Sequence, residues 1–363
     1  MTKQTRRRFF YLLTAAFLLL IPLIILYSLG YMIDFSKIRI EKTGGIFIKS
    51  KNHGVAVFLD GSFVKETPLL TNGTILTNIR PRTHLIRLEK SGFNPWFKTI
   101  EVKPMSVTEL RNVLLVPNPV TTATSSAEEI GLISQDMSAL PPRLKIDSKG
   151  QLVEEDDGEI KIIASYVNSF GTANNIIYWI DKNGFLARLK PDTKTVENIG
   201  RPGFYINKKP IRFLASPQGI LFFIDYSGGL FILEEENKIS PIDGGVVDIK
   251  FDGKDEKMII QKEKSIEVLW LKDESYQPFR KKGTKETILA LSGEIKDAEW
   301  FYGDNAHIAI RTSEGIFLTE VDGRRDRNTV ELISGKTNEL AATPEIPNAI
   351  FFRKDKLWFK IEL

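Results

Sequence analysis

The sequence predicts a mainly β protein: an N-terminal transmembrane helix, a small β-sandwich, then a β-propeller-like repeat domain of about five or six blades. Three observations predict it. Residues 9–33 are an uncharged run of 25 residues, residues 44–116 read as short strands broken by turn residues, and from residue 143 one hairpin pattern recurs every 38 to 50 residues. A chain of 363 residues has room for two or three domains, and 42% hydrophobic with 26% charged residues is ordinary globular composition.

The run Phe9 to Ile33 comes first. As a helix, about 1.5 Å per residue carries it roughly 37 Å, enough for a hydrocarbon core of about 30 Å. Pro22 is tolerated in a membrane helix, and Tyr11, Tyr27 and Tyr31 stand near the ends, where amphipathic rings favour the interface. A cleaved signal peptide is the alternative; it has a shorter apolar stretch and a small-residue cleavage site that does not follow here. Lys3, Arg6, Arg7 and Arg8 precede the run with no acid, whereas Asp34, Lys37, Arg39, Glu41 and Lys42 after it nearly balance. The positive-inside rule therefore puts a tail of residues 1–8 in the cytoplasm and residues 34–363 outside. The partner of residues 9–33 is membrane lipid.

The same four basic residues account for the whole net charge of +4, leaving 46 basic and 46 acidic residues in the rest of the chain. Nucleic-acid binding needs clustered positive charge, so nucleic acid is excluded as an expected partner. With no cysteine, disulfides, thiolate metal sites, lipidated cysteine anchors and cysteine nucleophiles are excluded as well.

In the first exterior module, GVAVFLDG (54–61) alternates Val55, Val57 and Leu59 against Ala56, Phe58 and Asp60, the period of two that buries one face. Asp60-Gly61 supplies a hairpin turn, and Thr67-Pro68 ends the next strand. Two strands around Ser91-Gly92 and a last one over 107–117 complete an antiparallel sandwich. These residues resemble the PEGA domain. Asp60, Gly61, Thr67, Pro68, Pro81, His84, Lys90, Gly92, Phe93 and Trp96 fall at the places of that family's turns and aromatics. The departures are Lys51-Asn52-His53-Gly54 in place of the signature P-E-G-A, Arg82 in place of a glycine, and Lys65 in place of a turn glycine. The resemblance, over residues 44–116, implies a small extracytoplasmic β-sandwich, often beside a membrane helix, and brings no catalytic residues. His84, alone in a strand, reads as structural.

Residues 117–142 are rich in Pro, Thr, Ser and Ala and read as a linker, with a turn or two of helix over Glu128–Met137. The repeat domain follows over 143–363. Its hairpins begin at 176, 220, 258, 308 and 350, each a strand of apolar residues, a polar or glycine turn and a second strand. Lead-in strands carry Phe213, Phe251 or Trp300 before a turn. Such periods mark propeller blades and resemble WD40 or TolB-like repeats without their strict signatures. Residues 148–167 make a further blade or the strand that closes the ring with the C-terminal hairpin; a pair of β-sandwiches is the competing fold.

No catalytic, cofactor-binding or metal residues are assigned. No phosphate loop, dinucleotide motif, nucleophile elbow or paired-histidine zinc motif occurs. The acidic run Glu154, Glu155, Asp156, Asp157, Glu159 lacks calcium-loop spacing and reads as a hairpin tip. Asp248, Asp252 and Asp255 read as blade-turn residues, and His307 begins an apolar strand too isolated for a triad. Trp96, Trp179, Trp270, Trp300 and Trp358 read as core rather than as glycan platforms. The expected function is a non-catalytic, single-pass binding or scaffolding protein of the prokaryotic cell envelope, with a protein or envelope polymer as ligand and no cofactor. An envelope hydrolase or lyase, and a subunit of a secretion or division assembly, stay open.

Overall fold

The computed structural model describes residues 3–34, 39–68, 71, 73–136, 143–156, 158–190, 194–201, 203 and 210–363. The chain divides into two compact units: residues 1–119 with 276–278 and 322–328, and the remainder. The expected linker's last residues, 137–142, and Asp157 of the acidic run lie outside the described residues.

The first unit opens with helix α1 (Lys3–Ser28), long and apolar enough to cross a membrane or to act as a signal sequence. It ends earlier than the uncharged run. Gly30 takes a positive φ of 81°, and Tyr31–Asp34 becomes strand β1, paired with β2 (Arg39–Lys42). The chain then returns to the helix end, where Thr43 donates its N–H and its hydroxyl to the Gly30 carbonyl.

The sandwich follows with β3 (Gly44–Ser50), β4 (Ala56–Leu59), β5 (Ser62–Glu66), β6 (Gly73–Ile79), β7 (Thr83–Glu89), β8 (Trp96–Glu101) and β9 (Val107–Val113). One sheet runs β5-β4-β7-β8 and the other β6-β3-β9. The pairing is not antiparallel throughout, as expected from the strand spacing, because β3 and β9 run parallel. Ile46, Ile48, Val57, Ile86, Leu88, Trp96, Ile100 and Leu110 close the core between the sheets. Two open edges are covered by amide side chains. Asn328 accepts from the Phe97 N–H and donates to the Phe97 carbonyl on β8, while Gln277 does the same at Glu109 and Val107 on β9. Each amide thereby stands in for a neighbouring strand on an edge that would otherwise invite pairing.

The second unit begins with β10 (Ala123–Thr124) and α2 (Ala127–Asp136). Ser126 and Glu129 cap α2 reciprocally, each accepting the other's backbone N–H. Then come β11 (Leu144–Ile146), β12 (Leu152–Asp156) and β13 (Glu159–Ala164), a three-stranded sheet. Three four-stranded meanders follow: β14 (Val167–Ala173) to β15 (Ile176–Asp181), β16 (Leu186–Lys190) and β17 (Thr195–Gly200); β18 (Arg212–Ala215) to β19 (Leu221–Ile224), β20 (Leu230–Leu233) and β21 (Ile239–Asp243); β22 (Val246–Phe251) to β23 (Lys257–Lys262), β24 (Ser265–Trp270) and β25 (Lys285–Ala290). A fourth runs β26 (Ile295–Phe301), β27 (His307–Thr312), β28 (Gly315–Glu320) and β29 (Thr329–Ser334). The last sheet takes β30 (Glu339–Ala341), β31 (Ala349–Lys354) and β32 (Leu357–Glu362), with β10 completing it from the other end of the unit.

Six sheets among the described residues agree with the predicted blades, and β10 pairing with β32 closes the set. The closing strand lies in the segment expected as a linker, not in residues 143–167, which form the three-stranded blade. Within the C-terminal hairpin Ile350, Phe351 and Phe352 are buried, whereas Leu357 is exposed.

Consecutive sheets share cores. Phe223 packs with Tyr178 and Ile180 of the preceding blade, while its neighbours Phe222 and Ile224 pack with Met258 and Ile260 of the next. Ile259 then joins Trp300 and Ile308 one blade further on. Alternate side chains of one strand therefore enter different interfaces, which is why apolar residues follow one another without alternation at the middle of these strands.

Candidate functional site

First strands of neighbouring sheets pack side by side, β14 with β18, β22 with β26 and β26 with β30, as the strands of a propeller-like inner ring do. Charged residues cross this ring. Arg212 on β18 reaches Asp248 on β22 at 3.0 Å and also donates to the Val247 carbonyl. Lys250 on β22 reaches Glu299 on β26 at 2.8 Å. Asp297, two residues before Glu299, is held by Arg311 of β27 at 2.6 Å, and Arg311 continues to the Thr337 carbonyl at 2.9 Å. Trp300 fixes the register by donating its indole N–H to the Lys250 carbonyl. Asp248, expected in a turn, thus sits inside an inner strand.

Glu299 is the electrostatic centre. Burial raises its pKa most; Lys250 opposes this, and the Asp248 and Asp297 carboxylates push it up further, to about 7. The Glu299 carboxyl is therefore a buried acid held up by desolvation and by like charge, with Lys250 as its counter-charge.

At one end of the ring the turns interlock. Asn174 donates to the Gln218 carbonyl, the Gln218 N–H donates to Asp255, and the Gly253 N–H donates to Asn305. Gly219, Asp255 and Asn305 occupy equivalent places with φ of 81°, 55° and 52°. At Gly219 the conformation and the space agree, since an added Cβ would fall 1.8 Å from the Asn174 amide nitrogen. Asp252 and Asp255 are turn residues as expected, both buried. Burial raises the Asp252 pKa above its ordinary value despite bonds from the Glu256 and Lys257 N–H groups and the charge of Lys257.

Most of the remaining candidates have a local partner. His84 is buried in the sandwich, with Nδ1 on Asp60 and Nε2 on the Arg80 carbonyl, both at 2.8 Å. Burial pushes the Asp60 carboxyl up, but the Leu85 N–H, His84 and Arg82 outweigh it and leave it below the ordinary value. His307 bonds to Asp304 at 2.7 Å, and His53 is exposed. The acidic tip is balanced by cross-strand cations, Lys145 on Glu155 and Arg143 on Asp156. Among the described residues no three acidic or histidine side chains are grouped to hold a metal. Trp96, Trp179, Trp270 and Trp300 are buried, and Trp358 is half-buried.

Sequence reasoning passed over Glu299 and Lys250, which stand on different repeats and meet only when the blades stack. It also passed over Lys98, buried in the first unit with its ammonium donating to the Asp322 and Asp326 carbonyls. One missed feature was visible: Ser126-Ala127-Glu128-Glu129 spells the capping box of α2.

Residues 43–115 match the PEGA domain, and the structure there is the small sandwich described above. The molecule is thus a mainly β protein in which, along the chain, a PEGA domain follows an apolar helix and precedes a propeller-like array of sheets. Among solved structures, YCF48 from Cyanidioschyzon merolae matches with TM-score 0.40 and 11% identity, over 60% of this chain and 76% of that one. The Mitotic Checkpoint Complex matches with TM-score 0.34 and 12% identity, over 59% of this chain and 64% of the other. The propeller-like assignment rests on the sheet order and shared cores rather than on these distant likenesses. No curated protein matches the chain.

Proposed function

We propose that this chain is a single-pass, membrane-anchored binding or scaffolding protein of the prokaryotic cell envelope, without catalytic activity. Its short N-terminal tail is cytoplasmic and residues 34–363 are extracytoplasmic. The observation that carries the reading is the order of parts: an apolar helix of 26 residues, tied at its end to a PEGA domain through Thr43 and Gly30, and followed by stacked sheets. The ligand is a protein or an envelope polymer, taken at the inner ring where Arg212, Asp248, Lys250 and Asp297 offer both signs of charge. Binding rather than turnover fits the site, because its carboxylates are held by Arg212, Lys250 and Arg311.

Protease added to intact spheroplasts is expected to digest residues 34–363; protection until lysis would overturn the orientation. Retention of the detergent-solubilised full chain on purified cell-wall polymer, weakened by Lys250→Ala, is the expected binding result. Turnover of that polymer would overturn the non-catalytic reading.

A further inference from the structure

At the junction of α1 and the PEGA sandwich lies a cleft of about 440 Å³. Tyr27 and Ser28 of the last helical turn form one wall; Ile75, Thr77 and Asn78 of β6 and the Met105–Ser106 turn form the others. Three hydrogen bonds build the junction: Thr43 donates twice to the Gly30 carbonyl, and the Met105 N–H donates to the Thr43 carbonyl at 2.8 Å. Met105 is 63% exposed with φ of 54°, and Ile75 is 47% exposed, so apolar side chains are presented at the rim.

Depth decides what the cleft meets. The uncharged part of α1, Phe9–Ser28, has 20 residues, which at about 1.5 Å each spans a hydrocarbon core of about 30 Å and no more. The Ser28 end therefore emerges at the level of the lipid headgroups, with Tyr27 and Tyr31 where amphipathic rings favour the interface. The lining carries hydroxyl and amide groups and no charged side chain among the described residues. The carbonyl end of α1 bears a partial negative charge, and no basic side chain stands in its last turn to offset it.

We propose that this cleft binds the headgroup of an amine-bearing zwitterionic phospholipid. The ammonium lies toward the carbonyl end of α1, the phosphate and ester oxygens meet the hydroxyl and amide groups, and Ile75 and Met105 lie against the upper acyl chains. The inference rests on α1 being retained as a membrane anchor. The PEGA sandwich would then be seated on the bilayer surface rather than tethered loosely above it.

The test is native mass spectrometry of the delipidated full-length chain in detergent, titrated separately with phosphatidylethanolamine and phosphatidylglycerol. Phosphatidylethanolamine is expected to bind one per chain and at least fivefold more tightly than phosphatidylglycerol. Thr77→Trp, which fills the cleft from an exposed strand position, should weaken it about tenfold, and Ser106→Trp should do the same from the facing turn. Equal binding of the two lipids, or binding unchanged in both variants, would overturn the cleft. The intact mass of the purified chain reports separately on the anchor, because loss of the first 30 or so residues would sink that reading and leave a distinct signature.

Discussion

The two β regions bury their strands in different ways. In the sandwich, β7 alternates: His84, Ile86 and Leu88 are buried while Leu85 is 43% exposed. In the array, β23 buries Lys257, Met258, Ile259, Ile260 and Gln261 in succession. A sandwich sheet has one neighbour and gives one face to solvent; a stacked sheet has two neighbours and gives each face to a different one. Alternation and continuous apolar runs are thus the two signatures of the same pleat, distinguished by how many layers it must satisfy.

The largest expected effect breaks the array at its closure. A chain ending at residue 345 lacks β31 and β32 and with them the buried Ile350, Phe351 and Phe352, each contributing about 1.5–3 kcal/mol. It also leaves β10 without its partner. That loss rivals the roughly 5–15 kcal/mol that holds a domain folded, so the second unit should aggregate or lose cooperative unfolding. A truncated chain that stays monomeric with an unchanged calorimetric transition would count against closure.

A smaller cut sharpens the contrast between the two burial patterns. Ile259→Ala and Ile260→Ala should each cost about 2–5 kcal/mol in denaturant unfolding although the residues are adjacent, because each fills a different interface. In the sandwich the same scan should alternate. Leu88→Ala should cost about 2–5 kcal/mol and Leu85→Ala well under half as much. Equal costs for Leu85 and Leu88 would contradict one-sided burial.

Lys98 is the exception inside the sandwich, a buried cation satisfied by two carbonyls. Lys98→Ala should destabilise the first unit by about 1.5–3 kcal/mol through the lost charge-assisted bonds. Limited proteolysis should then cut sooner within 322–328. Unaltered cleavage there would show that the ammonium is not what holds that loop.

The last expected effect is pH-dependent. Glu299 has its pKa raised from near 4.5 to about 7, so the folded state binds the proton more tightly than the unfolded one. Its contribution is complete below about pH 4.5 and is lost as pH rises through 7, a decline of at most about 3 kcal/mol. Glu299→Gln should flatten this slope between pH 4.5 and 7 in chemical denaturation. Parallel curves for the two proteins would place the titration elsewhere.

Much of the fold was legible because it depends on patterns local in the chain. The uncharged run marked a helix, the Asp60-Gly61 turn and its flanking alternation marked the sandwich, and the spacing of the apolar hairpins marked the blades. Even the cap at Ser126 and Glu129 was there to be read. Less of the candidate site was legible. Asp248 read as a turn residue because Asp is common in turns, yet its neighbours Val246, Val247 and Ile249 carry it into β22.

The sequence by itself determined the β class, the apolar helix, the PEGA sandwich and the repeat period, since each follows from side-chain spacing along a few consecutive residues. Only the tertiary structure decided that Thr124, far from the C-terminus in the chain, pairs with Phe359 to close the array. It alone set Lys250 against Glu299 across two blades, and Lys98 beneath a loop more than two hundred residues away. These are meetings of residues remote in the chain, and their energies depend on distance and burial, which no local pattern encodes.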